Sequence, residues 1–442
     1  MPKKIRDYLF GIFIILFIVG TALISLYASG YKFNLSWPAR FNRILIKTGM
    51  IAVDSAPRGA TIYLNGQVVK NFSLNPWSKE YITTAAKIKN VLPGEYELRL
   101  EREGYLPLSK KISVYSGQTT FAEEINLFRQ DLPYFIASTA AGELSLSPDR
   151  KYLYADTDNQ IISLKNEEAR ILPLAATDGL WLKDQDRIFL AGRLFGPKAA
   201  DDRDYGQLIG PGASDWHYDE NQNRIYYRNA SSLAYLDIND KTSRLVLSDI
   251  ELLTYEPRGE SLFLVTAAGG QTLLQKYSLK NQKIMEQIAL PNVGHYRFMA
   301  NDRPTVSLYD DRNKTLYLID PDNLASAGRT IDNIVSWQWL NDDTLIYNNN
   351  WEIYRFDLPR NSSSLLTRVG EEIREIIWNG RNNYLIFSTA DSLNAYDLGI
   401  GLASRIFQGE KIAAPILDEK NDTLYFWAQV GQQAGIYSLR LQ

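Results

Sequence analysis

The sequence predicts a mainly β protein: one apolar helix at the N-terminus, a small β-sandwich, then a long array of short strands. Three observations carry this. From residue 148 to the end, a polar turn followed by short aliphatic and aromatic strands keeps returning. Leu153-Tyr154, Ile188-Phe189, Ile225-Tyr226, Leu262-Phe263, Val306-Ser307, Leu345-Ile346, Leu385-Ile386 and Leu424-Tyr425 occupy equivalent places, at steps of 35, 37, 37, 44, 39, 40 and 39 residues. A period near 40 with several strands per unit is the signature of a β-propeller. The second observation is the supply of 27 Tyr, 17 Phe and 9 Trp, which favours strands over helices. The third is a 21-residue run without charge, Tyr8 to Ala28.

Composition narrows the function. A chain of 442 residues exceeds one ordinary domain, so several structural units are expected. A net charge of −3 makes no electrostatic case for nucleic acid as a partner. With no cysteine there is no disulfide, thiolate metal site or cysteine nucleophile. The two histidines, His217 and His295, are too few for a histidine cluster. No cofactor, metal site or catalytic residue is expected.

As a helix, residues 8–28 would extend about 31 Å, the thickness of a bilayer core. Tyr8 and Tyr27 stand at the two ends, where amphipathic rings prefer the interface. The rival is a cleavable signal peptide ending near Ala28-Ser29-Gly30, but its apolar region is usually only about 7–15 residues. An uncleaved transmembrane anchor is therefore favoured. Lys3, Lys4 and Arg6 precede the span, and Lys32, Arg40, Arg43 and Lys47 follow it, so charge count alone does not orient it. Long downstream domains translocate largely regardless of charge. The expected topology puts residues 1–7 in the cytoplasm and the bulk of the chain outside. Residues 29–48 read as a juxtamembrane connector. Its segment PARFNRILIK mixes cations with apolar residues and either lies along the membrane surface or merely links.

From Met50 the text becomes strand-like. Ile51 and Val53 alternate with polar residues, Pro57-Arg58-Gly59 turns, and Asn65-Gly66 is a type I′ hairpin signal. Leu92-Pro93-Gly94 turns into a second alternating run around Tyr96, and Gly104-Tyr105 breaks it. An antiparallel sandwich over 49–117 is expected, followed by a linker over 118–131. This stretch resembles the PEGA domain, through Ile51, Val53, Ser55, Pro57, Gly59, Ala60, Ile62, Tyr63, Leu64, Asn65 and Gly66, then Leu92, Pro93, Gly94 and Tyr96, then Gly104 and Tyr105. Arg58 stands where the family usually has Glu, at a turn position that tolerates it. The resemblance implies a surface-exposed module of prokaryotic envelope proteins with no catalytic role, and it supplies no site residues.

Residues 132–442 are assigned to the propeller. The last unit runs out at Gln442 before its outer strand, and the unassigned strand Leu132 to Ser138 would supply it, closing the ring. Eight blades are favoured. Seven result if residues 192–212, rich in Gly, Pro and Asp, are a connector instead of part of a blade. Ser147-Pro148-Asp149 before a strand resembles the repeats of TolB-like and WD40-like propellers, with Trp181, Trp216, Trp339 and Trp378 on the first strands of their units. That resemblance implies architecture and not activity.

No G-x-S-x-G, P-loop or H-E-x-x-H motif is present. The acidic pairs Asp156/Asp158, Asp201-Asp202, Asp310-Asp311 and Asp342-Asp343 fall at turns, where Asp satisfies backbone donors. His217 and His295 read as packing residues. Paired carboxylates for glycoside hydrolysis stay open, because separation in space is not written in a sequence. The ligand-binding candidates are Asn350, Trp351 and Trp427, aromatic and amide groups assigned to turns between second and third strands; the alternative is that they cap blade edges. The favoured reading is a membrane-anchored, extracytoplasmic, non-catalytic binding or scaffold protein of a prokaryotic cell envelope. Its partners would be the membrane and an envelope protein or polysaccharide. The alternatives are a propeller hydrolase or lyase acting on envelope polymers, and a structural part of a secretion or envelope-assembly complex.

Overall fold

The computed structural model describes residues 3–33, 45–70, 81–174, 176, 179–183, 186–299, 301, 303–324, 329–420 and 422–442. The chain divides into two compact units: Met1–Asp131 with Tyr396–Ile406 and Gln442, and Leu132–Ala395 with Phe407–Leu441.

The first unit starts with a helix, Lys3–Ala28. Within residues 5–28 an 18-residue window reaches a mean hydropathy of 2.8, and the helix is long and apolar enough to cross a membrane. Phe10, Phe13, Ile15 and Leu16 stand on different sides of this helix and are all more than 60% exposed. None of its apolar window is buried among the described residues. Gly30, at φ +83, ends it in the left-handed conformation that glycine adopts without strain. Tyr31–Phe33 then pairs antiparallel with Leu45–Lys47, so the expected connector begins and ends in strands. Residues 34–44, most of the basic segment, lie outside the described residues.

The sandwich that follows has a three-stranded and a four-stranded sheet. Asn65 and Gly66 both take positive φ between Thr61–Leu64 and Gln67–Val68, the type I′ turn expected there. The Pro57-Arg58-Gly59-Ala60 turn has a buried anchor. The Thr84 hydroxyl accepts the Gly59 and Ala60 amides, each at 3.1 Å, and meets the Ser55 hydroxyl at 2.6 Å. Arg58 is exposed and pairs with Asp54 at 3.0 Å. The Tyr96 hydroxyl donates to the Leu92 carbonyl at 2.8 Å, tying down the Leu92-Pro93-Gly94 turn.

The sandwich does not stop at 117, and it is not wholly antiparallel. Within the expected linker, Thr119–Asn126 is a strand pairing parallel with Gly49–Ala56. A bulge between Val53 and Ser55, with Glu124 at positive φ, breaks the alternation that would have marked this strand in the sequence.

The strands from Tyr134 onward form a propeller array of eight four-stranded sheets, antiparallel in every pairing described. The eight sheets begin at Leu144, Leu180, Ala213, Leu252, Tyr296, Ser336, Glu375 and Glu410. Leu153, Ile188, Ile225, Leu262, Val306, Leu345, Leu385 and Leu424, the residues that marked the repeat, are all 0% exposed. The period was therefore the period of the core. First strands lie against first strands of neighbouring sheets, and Glu410–Asp418 of the last sheet meets Leu144–Leu146 of the first. Tyr134–Ala137 pairs with the final strand Gln433–Arg440, supplying the outer strand missing from the last repeat. Residues 192–212 contribute strands Arg193–Phe195 and Arg203–Asp204 to the second sheet and are not a connector.

Candidate functional site

The acidic turns are structural. Asp219, Asp237, Asp310 and Asp397 end strands and turn one carboxylate oxygen onto two backbone amides of the following turn at 2.9–3.3 Å. Asp202 holds Arg170, and Asp158 accepts the Ala140 amide.

The three ligand candidates do not form one platform. Trp351 is 51% exposed in the turn between Thr344–Asn348 and Glu352–Asp357, beside Asn350 at φ +78. The Asn349 side chain accepts the Trp351 and Glu352 amides and shapes that turn. Glu352, bonded to Tyr354, Asn349 and Arg368, is held down to about 2. Trp427 lies on another sheet, within strand Thr423–Val430, 8% exposed, with its indole N–H donating to the Thr139 carbonyl at 2.8 Å. It packs and has no free face. The turn position assigned to it was wrong by three residues, because Ala428, Gln429 and Val430 continue the strand.

The histidines also depart from plain packing. His295 is exposed and contacts Asp311 through Nδ1 at 2.8 Å. His217 lies between Asp215 (3.2 Å) and Glu256 (3.5 Å), its ring 4.5 Å from that of Tyr255. A bulge in Ala213–Asp219 puts Asp215 at φ +58 and brings its carboxylate beside the ring two residues on. Burial alone would push the imidazole down. The two carboxylates outweigh it and hold His217 up at about 9.

The site that sequence reasoning missed lies on the first strands of four sheets. A cavity of about 530 Å³ is lined by Glu143, Arg297, Trp337, Trp339, Arg374 and Glu375, among others. Arg297 stacks over the Tyr309 ring at 5.4 Å; that ring also packs on Trp337 at 5.0 Å, and its hydroxyl is tied to the Ile334 carbonyl. The stack holds the guanidinium in place. Arg374 reaches one carbonyl, that of Ile412, at 3.5 Å. Among the described residues neither arginine meets a carboxylate in an ion pair, and neither glutamate meets a cation. Burial, then the negative charge of Glu143, raises Glu375 to about 7, against the smaller opposing pull of the Ala414 amide and Arg374. The Trp339 indole N–H is buried without an acceptor. The only signal in the sequence was a charged residue at the entry of three of these four first strands, Glu143, Arg297 and Arg374-Glu375, spread over more than half the chain.

A second cavity, of about 900 Å³, is lined by Lys183, Glu220, Glu256, Arg258, Asn301, Arg303 and Asp342 near the other ends of first strands. Asn301 and Arg303 belong to both cavities. Here the charges are committed. Arg303 meets Asp342 at 2.9 Å, Lys183 meets Glu220, and Arg258 donates to the carbonyls of Asn301, Arg303 and Pro304.

The PEGA domain family matches residues 78–126, ending with the parallel strand and not at 117. No curated protein matches the chain. Solved structures similar to it include Kluyveromyces lactis Hsv2, at 11% identity over 49% of this chain and 70% of that one, with TM-score 0.37. An oligogalacturonate lyase in complex with manganese matches at 13% identity over 70% and 89% of the two chains, with TM-score 0.39. The dihydro-heme d1 dehydrogenase NirN in complex with DHE matches at 13% identity over 61% and 66%, with TM-score 0.46. The chain carries a PEGA-matching segment, residues 78–126, followed in sequence by the propeller array described above.

Proposed function

We propose that this is a membrane-anchored, extracytoplasmic binding protein of a prokaryotic envelope. Its apolar helix is the anchor, its PEGA-like sandwich the stalk, and its eight-bladed ring the recognition platform. The ligand enters the 530 Å³ cavity on the inner strands. One observation carries this reading: four charged side chains line that cavity with no ion-pair partner among the described residues. Glu143, Arg297 and Arg374 are exposed to water and Glu375 is partly buried, so the four charges are solvated and open to a ligand. A cavity of this size falls in the usual range for ligand sites, about 300–1,000 Å³.

The test is capture of envelope protein or polymer by the full chain in detergent, compared with the Arg374→Ala/Glu375→Ala double variant. Capture should fall at least tenfold in a variant that melts normally. Undiminished capture overturns the reading. The exposed helix and the PEGA match support placement outside the membrane, which protease accessibility in intact cells with an opened outer layer would check.

A second reading is acid–base catalysis on an envelope polymer, favoured by Glu375 being raised to about 7 beside Glu143. It requires that Glu375→Gln lose turnover while retaining binding.

A further inference from the structure

The chemistry of the cavity narrows its ligand. It carries three guanidinium groups and two carboxyl groups; Arg303 is paired with Asp342, and the other four, Glu143, Arg297, Arg374 and Glu375, do not neutralise one another by contact. A neutral glycan would leave all four facing it without a counter-charge, at a desolvation cost it could not return. A ligand with only negative charge would satisfy Arg297 and Arg374 but bring a third anion to Glu143 and Glu375, which already repel each other. One with only positive charge meets the mirror problem. The ligand that pays all the charges at once carries both signs.

We infer that the cavity binds a short zwitterionic peptide with free amino and carboxyl ends, its carboxylate on Arg297 and Arg374 and its ammonium on Glu143 and Glu375. This rests on the reading of the cavity as a binding site and adds the class of ligand. Arg297 is pre-positioned for the role, held by its stack on Tyr309 before any ligand arrives. Planar guanidinium groups suit a carboxylate through paired N–H donors.

The experiment is calorimetric titration of the detergent-solubilised full chain with three probes: Ala-Ala, N-acetyl-Ala-Ala and Ala-Ala amide. The dipeptide should bind, and each capped form at least tenfold more weakly. Arg297→Gln should weaken Ala-Ala binding about tenfold and leave the affinity for the amide unchanged. Glu375→Gln should weaken Ala-Ala and leave the N-acetyl form unchanged. The capped probes on the unaltered chain need no variant, so misfolding cannot imitate the result. Equal binding of all three probes overturns the zwitterion inference. So does failure of all three, and in that case capture of envelope material that still depends on Arg374 and Glu375 would leave the binding reading standing.

Discussion

The two cavities on the inner strands treat charge in opposite ways. In the larger, Arg303 has Asp342, Lys183 has Glu220, and Glu256 has His217, which Asp215 also holds. In the smaller, Glu143, Arg297, Arg374 and Glu375 share a space and make no ion pair among the described residues. Both are built on first strands, and they meet at Asn301 and Arg303. The difference is therefore one of side-chain choice and not of architecture. In the larger cavity partners sit within 4 Å; in the smaller the same kind of strand carries charge without an ion-pair partner among the described residues.

The sharpest way to break the comparison is to delete one member on each side. His217→Ala leaves Asp215 and Glu256 facing each other without their cation. It should cost about 3 kcal/mol, the low end for breaking a buried pair, since the ring keeps 19% exposure. Glu375→Gln, which removes a carboxyl already burdened by burial, should leave stability unchanged or higher at neutral pH. Urea midpoints of the two variants test this, and a larger loss for Glu375→Gln would reverse the assignment of roles.

Titration sharpens the same contrast. Both groups hold protons more tightly folded than unfolded, so stability falls as pH rises through each window. His217 contributes fully below its ordinary value of 6.5, and that contribution is lost as pH climbs through about 9. For Glu375 the window runs from its ordinary 4.5 to about 7. Melting temperature against pH should lose its upper slope in His217→Gln and its lower slope in Glu375→Gln. Retention of both slopes in both variants would assign the titration elsewhere.

Two tryptophans extend the comparison at smaller amplitude. Trp427→Phe removes the hydrogen bond to the Thr139 carbonyl and should cost about 1 kcal/mol. Trp339→Phe removes an indole N–H that bonds to nothing among the described residues, so it should leave stability within about 0.5 kcal/mol. Smallest of all, the exposed Trp351→Ala should change melting by less than about 0.5 kcal/mol. A larger loss at Trp351 would mean that it packs in a way its exposure denies.

Much of this molecule was legible in one dimension. The eight hydrophobic markers of the repeat, the apolar helix, the Asn65-Gly66 hairpin and the missing outer strand are local or periodic, and periodicity survives in a linear text. The parallel strand Thr119–Asn126 escaped because a bulge interrupts its alternation, and Trp427 was misplaced because its strand outruns the turn assigned to it. Only the tertiary structure decided the site. Glu143 and Glu375 stand 232 residues apart, and nothing in the text around either points to the other. They share a cavity because the array brings the first strands together and turns the entry of each toward the same space. Which charges are paired depends on distance between side chains from different sheets, and the sequence by itself determined only that the sheets exist.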